Sequence, residues 1–155
     1  MLKDTLVQDA DLFLLKPAML AKYQGLVMHH LALALANEKA GKSARLNLLK
    51  GLQHGDIQAW LGVAGEEDSR RIVGLVFTTV TIDPWLDVRR LLVYGLHMKE
   101  QLSKDALEHC LGVIEAYAKK RGCHLMEART SVNGVARILN SNGWANGQSI
   151  LTKEI

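Results

Sequence analysis

The sequence has few cysteines and prolines and little net charge. Its 155 residues include two cysteines and two prolines, aromatic residues make up 5% of the chain, and the formal net charge is +3. Two cysteines are too few for a disulfide framework. A charge this small and this scattered is unlike the concentrated basic stripe of a nucleic-acid-binding protein. We therefore predict neither a disulfide-stapled fold nor a nucleic-acid partner.

Long apolar runs are missing as well. The run that comes closest to a membrane span, LVMHHLALALANE, is interrupted by His29 and His30 and is too short to cross a bilayer. The N-terminal residues MLKDTLVQDADLFLL contain three aspartates and no basic leader before an apolar core, so they do not resemble a secretory signal peptide. These features predict a cytoplasmic protein with no membrane attachment.

Each cysteine has a histidine neighbour, in the pairs His109–Cys110 and Cys123–His124. On paper these four side chains resemble a zinc ligand set. Periodicity, however, places Cys110 in the middle of a helix and Cys123 just past its end, which separates them by roughly 20 Å at the helical rise. That distance is too large for shared coordination, so we predict two structural thiols and no metal site.

Hydrophobic periodicity predicts an α+β (mixed α/β) domain with one central, mostly antiparallel sheet flanked by helices. The chain is long enough for one core, so we predict a single domain over 1–155, with a strand and two helices in 1–55 and the sheet, a long helix and a terminal motif in 56–155. The predicted elements are a strand near 12–15, a helix from Pro17, a second helix capped by Ser43 and closed by Gly55, strands over 57–65, 72–82 and 88–98, a helix from Ser103 to about Arg121 in which Gly112 packs closely, a strand over 124–130, a helix over 133–142 and a strand over 147–155.

The stretch NGVARILNSNGW resembles the last-helix motif of the GNAT family of N-acetyltransferases. The matching residues are Asn133, Ala136, Leu139, Gly143 and Trp144. The long helix ending AKKRG and the strand after it are also similar to that family, so the resemblance covers about 56–155 and extends to the N-terminal part only in the order of elements. It implies acetyl-CoA held in a V-shaped opening between two splayed central strands. Its pyrophosphate would rest on backbone N–H groups at the start of the long helix.

The start of that helix, QLSKDALEH, contains no glycine. Counting back from Gly122, the family pattern Arg/Gln-x-x-Gly-x-Gly/Ala falls on about 102–107, where Asp105 and Leu107 stand at its two glycine positions and Ser103 stands two residues before the first. The Ser103 hydroxyl can cap the helix, and Asp105 in the first turn would repel a diphosphate. These residues predict that the acyl-CoA site has decayed.

A second departure concerns the proton donor. Many members place a tyrosine in the last helix, and the matching residue here is Asn140, whose amide cannot donate a proton at neutral pH. His97, at the end of the third antiparallel strand, and Glu127, on the next strand, remain candidate general bases. If a cofactor site survives, the resemblance implies that acetyl-CoA or CoA would contact His97, Met98, Lys99, Ser103, Lys104, Asn133 and Asn140.

Trp85 follows Pro84 at the tip of a predicted hairpin. It would either contact a protein partner or a second copy of the chain, or fold back on the sheet. We therefore carry two main hypotheses. The first is a non-catalytic GNAT-fold protein with a binding or structural role, for example in a phage virion assembled in the cytoplasm, by analogy of fold alone. The second is an acetyl-CoA-dependent N-acyltransferase with a divergent pyrophosphate loop; a regulatory module that binds CoA without turnover is a third.

Overall fold

The computed structural model describes residues 6–34, 43–129 and 133–147, together with residues 151, 153 and 155. The helices and strands follow the predicted order as far as the last helix. They are β1 (Ala10–Leu14), a 3₁₀ turn (Pro17–Met19), α1 (Leu20–Ala34), α2 (Ala44–His54), β2 (Ile57–Ala64), a 3₁₀ turn (Glu67–Ser69), β3 (Arg71–Asp83), β4 (Val88–Met98), α3 (Lys104–Lys120), β5 (Leu125–Ala128) and α4 (Asn133–Ser141).

The described residues form one five-stranded sheet, with the strands in the order β1-β2-β3-β4-β5. The first three pairings are antiparallel, and β4 pairs with β5 in parallel. Successive side chains of a strand point to opposite faces of the sheet, and here apolar side chains lie on both. Helices must therefore cover both faces. One face packs with α1 and α2, and the other packs with α3. This arrangement confirms the predicted mixed α+β class with a mostly antiparallel sheet.

Local signals explain the boundaries of α2 and α3. Buried residues recur every fourth position on α3, as an amphipathic helix requires: Ala106, Cys110, Ile114 and Ala118. Gly122 follows α3 and Gly55 follows α2, both with positive φ, which glycine adopts without strain. Ser43 precedes α2, but its side chain makes no capping hydrogen bond and its backbone is not extended, so the predicted side-chain cap there is wrong.

Three further details differ from the sequence-based prediction. Gly112 faces open space, because a Cβ added at this residue would meet no atom within 4 Å, so the predicted close packing there is wrong. The sequence pattern also predicts that Trp60 and Trp144 lie in the core. Trp60 does, but Trp144 is only partly buried. The predicted last strand lies largely outside the described residues, and its described members Gly147, Leu151, Lys153 and Ile155 are not in a strand.

A buried hydrogen-bond chain crosses β2 and β3. The indole N–H of Trp60 donates to the Thr78 hydroxyl at 2.9 Å, and that hydroxyl donates to the Gln58 side-chain oxygen at 2.9 Å. The Gln58 amide then donates to the Gly55 carbonyl at 2.8 Å. Each of the three side chains has a partner, which removes the desolvation penalty that a buried polar group would otherwise carry.

The two cysteines are free thiols. Cys110 lies on the buried face of α3, and burial raises the pKa of its thiol to about 11. Within the described residues, no group of three or more histidine, cysteine, aspartate or glutamate side chains is placed to hold a metal ion. No described helix has both the length and the apolar character needed to cross a bilayer.

Candidate functional site

A β-bulge interrupts β4 next to the place where β5 ends. Phe77 faces Gly95 across the ladder while Thr78 faces Val93, so Tyr94 is the extra residue of the bulge. β5 accompanies β4 only from Arg90 to Val93. Beyond that point, β4 continues without a partner from the described part of β5. Among the described residues, the edge of β4 over 94–98 therefore has no strand partner on that side, at the position where the resemblance to the GNAT family implies a V-shaped opening.

The end of β4 carries the strand part of the predicted cofactor set. His97 and Met98 are partly buried and Lys99 is exposed. The Lys99 N–H donates to the Val73 carbonyl at 2.7 Å, which turns the chain towards β3 as it leaves the strand. The remaining predicted contacts lie on other elements. Of the two on α4, the Asn140 side chain is exposed, and the Asn133 side chain lies outside the described residues.

The side chain of His97 contacts a histidine of α1 that the sequence analysis did not select. His30 Nδ1 lies 2.7 Å from His97 Nδ1. Burial lowers the pKa of His30, and the neighbouring His97, Lys99 and His29 lower it further. The available signal was a histidine on the apolar face of a helix, which by itself does not point to a particular partner.

Glu127 lies between two arginines. Its Oε2 accepts from Arg90 at 2.9 Å, and its Oε1 accepts from Arg129 at 3.3 Å. The hydrogen bond from Arg90 is the main reason that the pKa of Glu127 is lowered. A general base must take up a proton, and both oxygens are already occupied by donors that favour the charged form. The general-base role of Glu127 stays a prediction that this environment disfavours.

The chain's own groups cap the start of α3. Ser103 is buried at the N-cap, and its hydroxyl accepts from the Ala106 N–H at 3.2 Å. The Ser103 N–H donates to the Val7 carbonyl at 2.8 Å, and the Val7 N–H donates to the Gln101 carbonyl at 2.9 Å. The N-terminal segment thus forms a β-bridge with the loop before the helix, between Val7 and Leu102. The predicted cap at Ser103 is confirmed.

A cleft of about 380 Å³ lies beside this helix start and is acidic. Its lining includes Asp9, Asp11 and Asp105, against the basic residues Arg70 and His109. His109 Nε2 lies 3.1 Å from Asp11 Oδ1, so that imidazole is already engaged by a carboxylate. Three carboxylates line this cleft, and that of Asp105 lies in the first turn of α3. They oppose a polyphosphate by like-charge repulsion.

Aligned one residue earlier, the loop pattern matches at its first and last positions, a register that the count back from Gly122 does not give. In that register Gln101 takes the first position and Ala106 the last, with Lys104 at the first glycine. The Lys104 side chain is exposed, and its Nζ lies 3.8 Å from Oε1 of Glu108 on the next turn. Neither register supplies a glycine, so the backbone clearance for a pyrophosphate is reduced in both.

The β3–β4 turn displays two apolar side chains. Trp85 is 93% exposed and Leu86 is 69% exposed, so the alternative in which Trp85 folds back on the sheet is wrong. The backbone N–H groups of both residues donate to Asp83 Oδ1, at 2.8 and 3.1 Å. Arg90 lies 3.5 Å from the other Asp83 oxygen. These contacts order the turn while its apolar tip stays in solvent.

The fold is shared with many acetyltransferases of known structure. No protein-family model and no curated protein sequence matches this chain significantly, whereas 98 chains of solved structures match its fold. A probable acetyltransferase superposes with a TM-score of 0.67 at 17% identity, covering 94% of this chain and 96% of that one. A GNAT family acetyltransferase of Staphylococcus aureus superposes with a TM-score of 0.63 at 16% identity, covering 95% of this chain and 99% of that one.

An aminoglycoside acetyltransferase from an uncultured soil metagenomic sample, solved with trehalose, gives a TM-score of 0.69 at 11% identity, covering 94% of this chain and 95% of that chain. These comparisons confirm the GNAT fold that the C-terminal motif predicted. Identities this low establish the fold alone, and fold does not determine function.

Proposed function

We propose that this chain, which has the fold of the GNAT acetyltransferases, is a non-catalytic binding or structural protein whose acyl-CoA site has decayed. The observation that carries the proposal is the capped start of α3, where only the N–H groups of Lys104 and Asp105 lack a partner among the described residues. An anion-binding helix start needs free N–H donors and room for the phosphates. Here the N–H groups of Ser103 and Ala106 are already bonded within the chain.

Charge supports the same conclusion. The carboxylate of Asp105 in the first turn interacts favourably with the positive end of the helix dipole. A bound diphosphate would have to compete with that carboxylate and with the neighbouring Asp9 and Asp11. Titration with acetyl-CoA tests the proposal, and we expect no binding at millimolar ligand.

The alternative function is an acetyl-CoA-dependent N-acyltransferase with a divergent pyrophosphate loop. One observation favours it: the bulge at Tyr94 and the open edge of β4 leave backbone groups free for a pantetheine arm. The acetyltransferases among the structural neighbours agree with it. In this function His97 would be the candidate base, and saturable acetyl-CoA binding would support it over the decayed site.

The binding role that we favour is contact with a protein partner or a second copy of the chain through the Trp85 turn. Exposed tryptophan in an ordered turn is a common anchor of protein interfaces, because a large apolar area is buried with little loss of conformational freedom. A place inside a phage virion is one assembly of this kind, and it rests on analogy of fold alone.

Replacing Trp85 with alanine is expected to weaken association by roughly 30-fold in Kd, as for an interface hot spot of about 2 kcal/mol. Sedimentation velocity over a concentration series measures this for self-association. Leu46→Ala is the matched control, since Leu46 is an exposed apolar residue on α2. An association that Trp85→Ala leaves unchanged would exclude the turn as the contact.

A further inference from the structure

The contact between His30 and His97 joins α1 to the open end of β4. His30 is fully buried, at 0% exposure, and its Nδ1 lies 2.7 Å from Nδ1 of His97. α1 packs on β4, so this hydrogen bond lies at the interface between the helix layer and the sheet. Two imidazole nitrogens at this distance form a hydrogen bond only if one carries a proton and the other does not.

The surroundings of His30 determine which ring donates. Its second nitrogen, Nε2, is buried and has no hydrogen-bond partner among the described residues. An unpaired N–H in the core is rarer than an unpaired acceptor. His30 therefore carries its proton on Nδ1 and donates to His97, which accepts on Nδ1 and carries its own proton on Nε2.

We propose that His30 and His97 form a proton-controlled latch that holds α1 on β4 at neutral pH and releases it in acid. A proton added to His97 must go to Nδ1, the atom that accepts from His30. The hydrogen bond then survives only if His30 moves its proton to Nε2, where the described residues offer no acceptor. Proton uptake by the pair therefore breaks the contact or leaves an orphaned buried donor.

The neighbouring groups add to the effect. The groups of the described chain that shift the pKa of His30 by their charge are all basic: His29 on α1, His97 on β4 and Lys99 just after β4. No carboxylate in that part of the chain offsets them. An imidazolium at His30 would therefore be both desolvated and repelled.

The direction of the pH dependence follows from the lowered pKa of His30. Below about pH 6.5, the unfolded chain binds a proton at this residue that the folded chain resists. The stability that the neutral pair provides is complete above that pH and is lost as the pH falls towards the folded-state pKa. For one proton, the folding equilibrium constant falls by up to about tenfold per pH unit.

Urea unfolding of the full chain at a series of pH values tests the latch. Between about pH 6.5 and 5.5, we expect the folding constant of the wild type to fall by up to about fivefold more than that of His30→Gln. His54→Gln, which removes an exposed histidine at the end of α2, should retain the wild-type pH dependence. Equal pH dependence in the wild type and His30→Gln would overturn the proposal.

Nitrogen-15 NMR of the wild-type histidine rings gives a second test that needs no variant. We expect a proton on His30 Nδ1 at neutral pH, and a His30 ring that stays neutral to a pH below 6.5, the ordinary pKa of a histidine. Amide protection in α1 should then fall in acid relative to α3. Independent titration of both rings near their ordinary pKa, with α1 and α3 protected alike, would show that no latch exists.

Discussion

Replacing Phe77 with alanine is expected to lower the free energy of unfolding by about 3–5 kcal/mol. Phe77 is 0% exposed and packs in the core layer between the sheet and the helices α1 and α2. It also stands on β3 opposite the bulge in β4. Truncation would lose the burial of the ring and leave a cavity. The neighbouring residues are held in the sheet, so they cannot move far enough to fill it.

The chain offers a matched control for this substitution, because it has two phenylalanines. Phe13 lies on β1 and is 44% exposed, so Phe13→Ala should cost far less than Phe77→Ala. Urea unfolding monitored by circular dichroism measures both. Equal losses for the two variants would contradict the assignment of Phe77 to the core.

Replacing Thr78 with valine is expected to lower the free energy of unfolding by roughly 2–4 kcal/mol, although the two side chains have nearly the same shape. The Thr78 hydroxyl is the middle group of the buried chain between Trp60 and Gln58. Without it, the indole N–H loses its acceptor and the Gln58 oxygen loses its donor. Each unpaired buried group costs about 1–3 kcal/mol.

Thr79→Val is the control, since it makes the same change one residue along β3. The Thr79 hydroxyl donates to the Asp56 carbonyl at an exposed position, where water can replace it. Its loss should cost about 1 kcal/mol or less. If Thr78→Val were as mild as Thr79→Val, the buried chain would not stabilise the fold.

Local sequence signals were sufficient for most element boundaries. β4 begins and ends where predicted, at Val88 and Met98, because a proline-containing turn precedes it and a polar stretch follows it. The cap at Ser103 was predictable because capping depends on residues three positions apart. Gly112 shows the limit of such reasoning, because helix propensity gives the cost of a glycine but not what faces it.

The site depends on contacts that local patterns do not contain. His30 and His97 are 67 residues apart, and their contact requires the position of α1 along β4. The bridge from Val7 to Leu102 likewise depends on where the N-terminal segment crosses the sheet. The bulge at Tyr94 adjoins Gly95, but a lone glycine in a strand pattern does not establish that the partner strand leaves a residue unpaired there.

Isothermal titration with acetyl-CoA and CoA, supported by a thermal shift, tests the decayed site most directly. Ligand at about 100 times its Kd would stabilise the folded protein by about 2.7 kcal/mol. The same titration of the double variant Ser103→Gly/Asp105→Gly, which lacks the cap and the acid, is compared with that of the wild type. We predict neither heat nor a shift for the wild type at millimolar ligand. Micromolar binding by the wild type would contradict the decayed site and favour the acyltransferase.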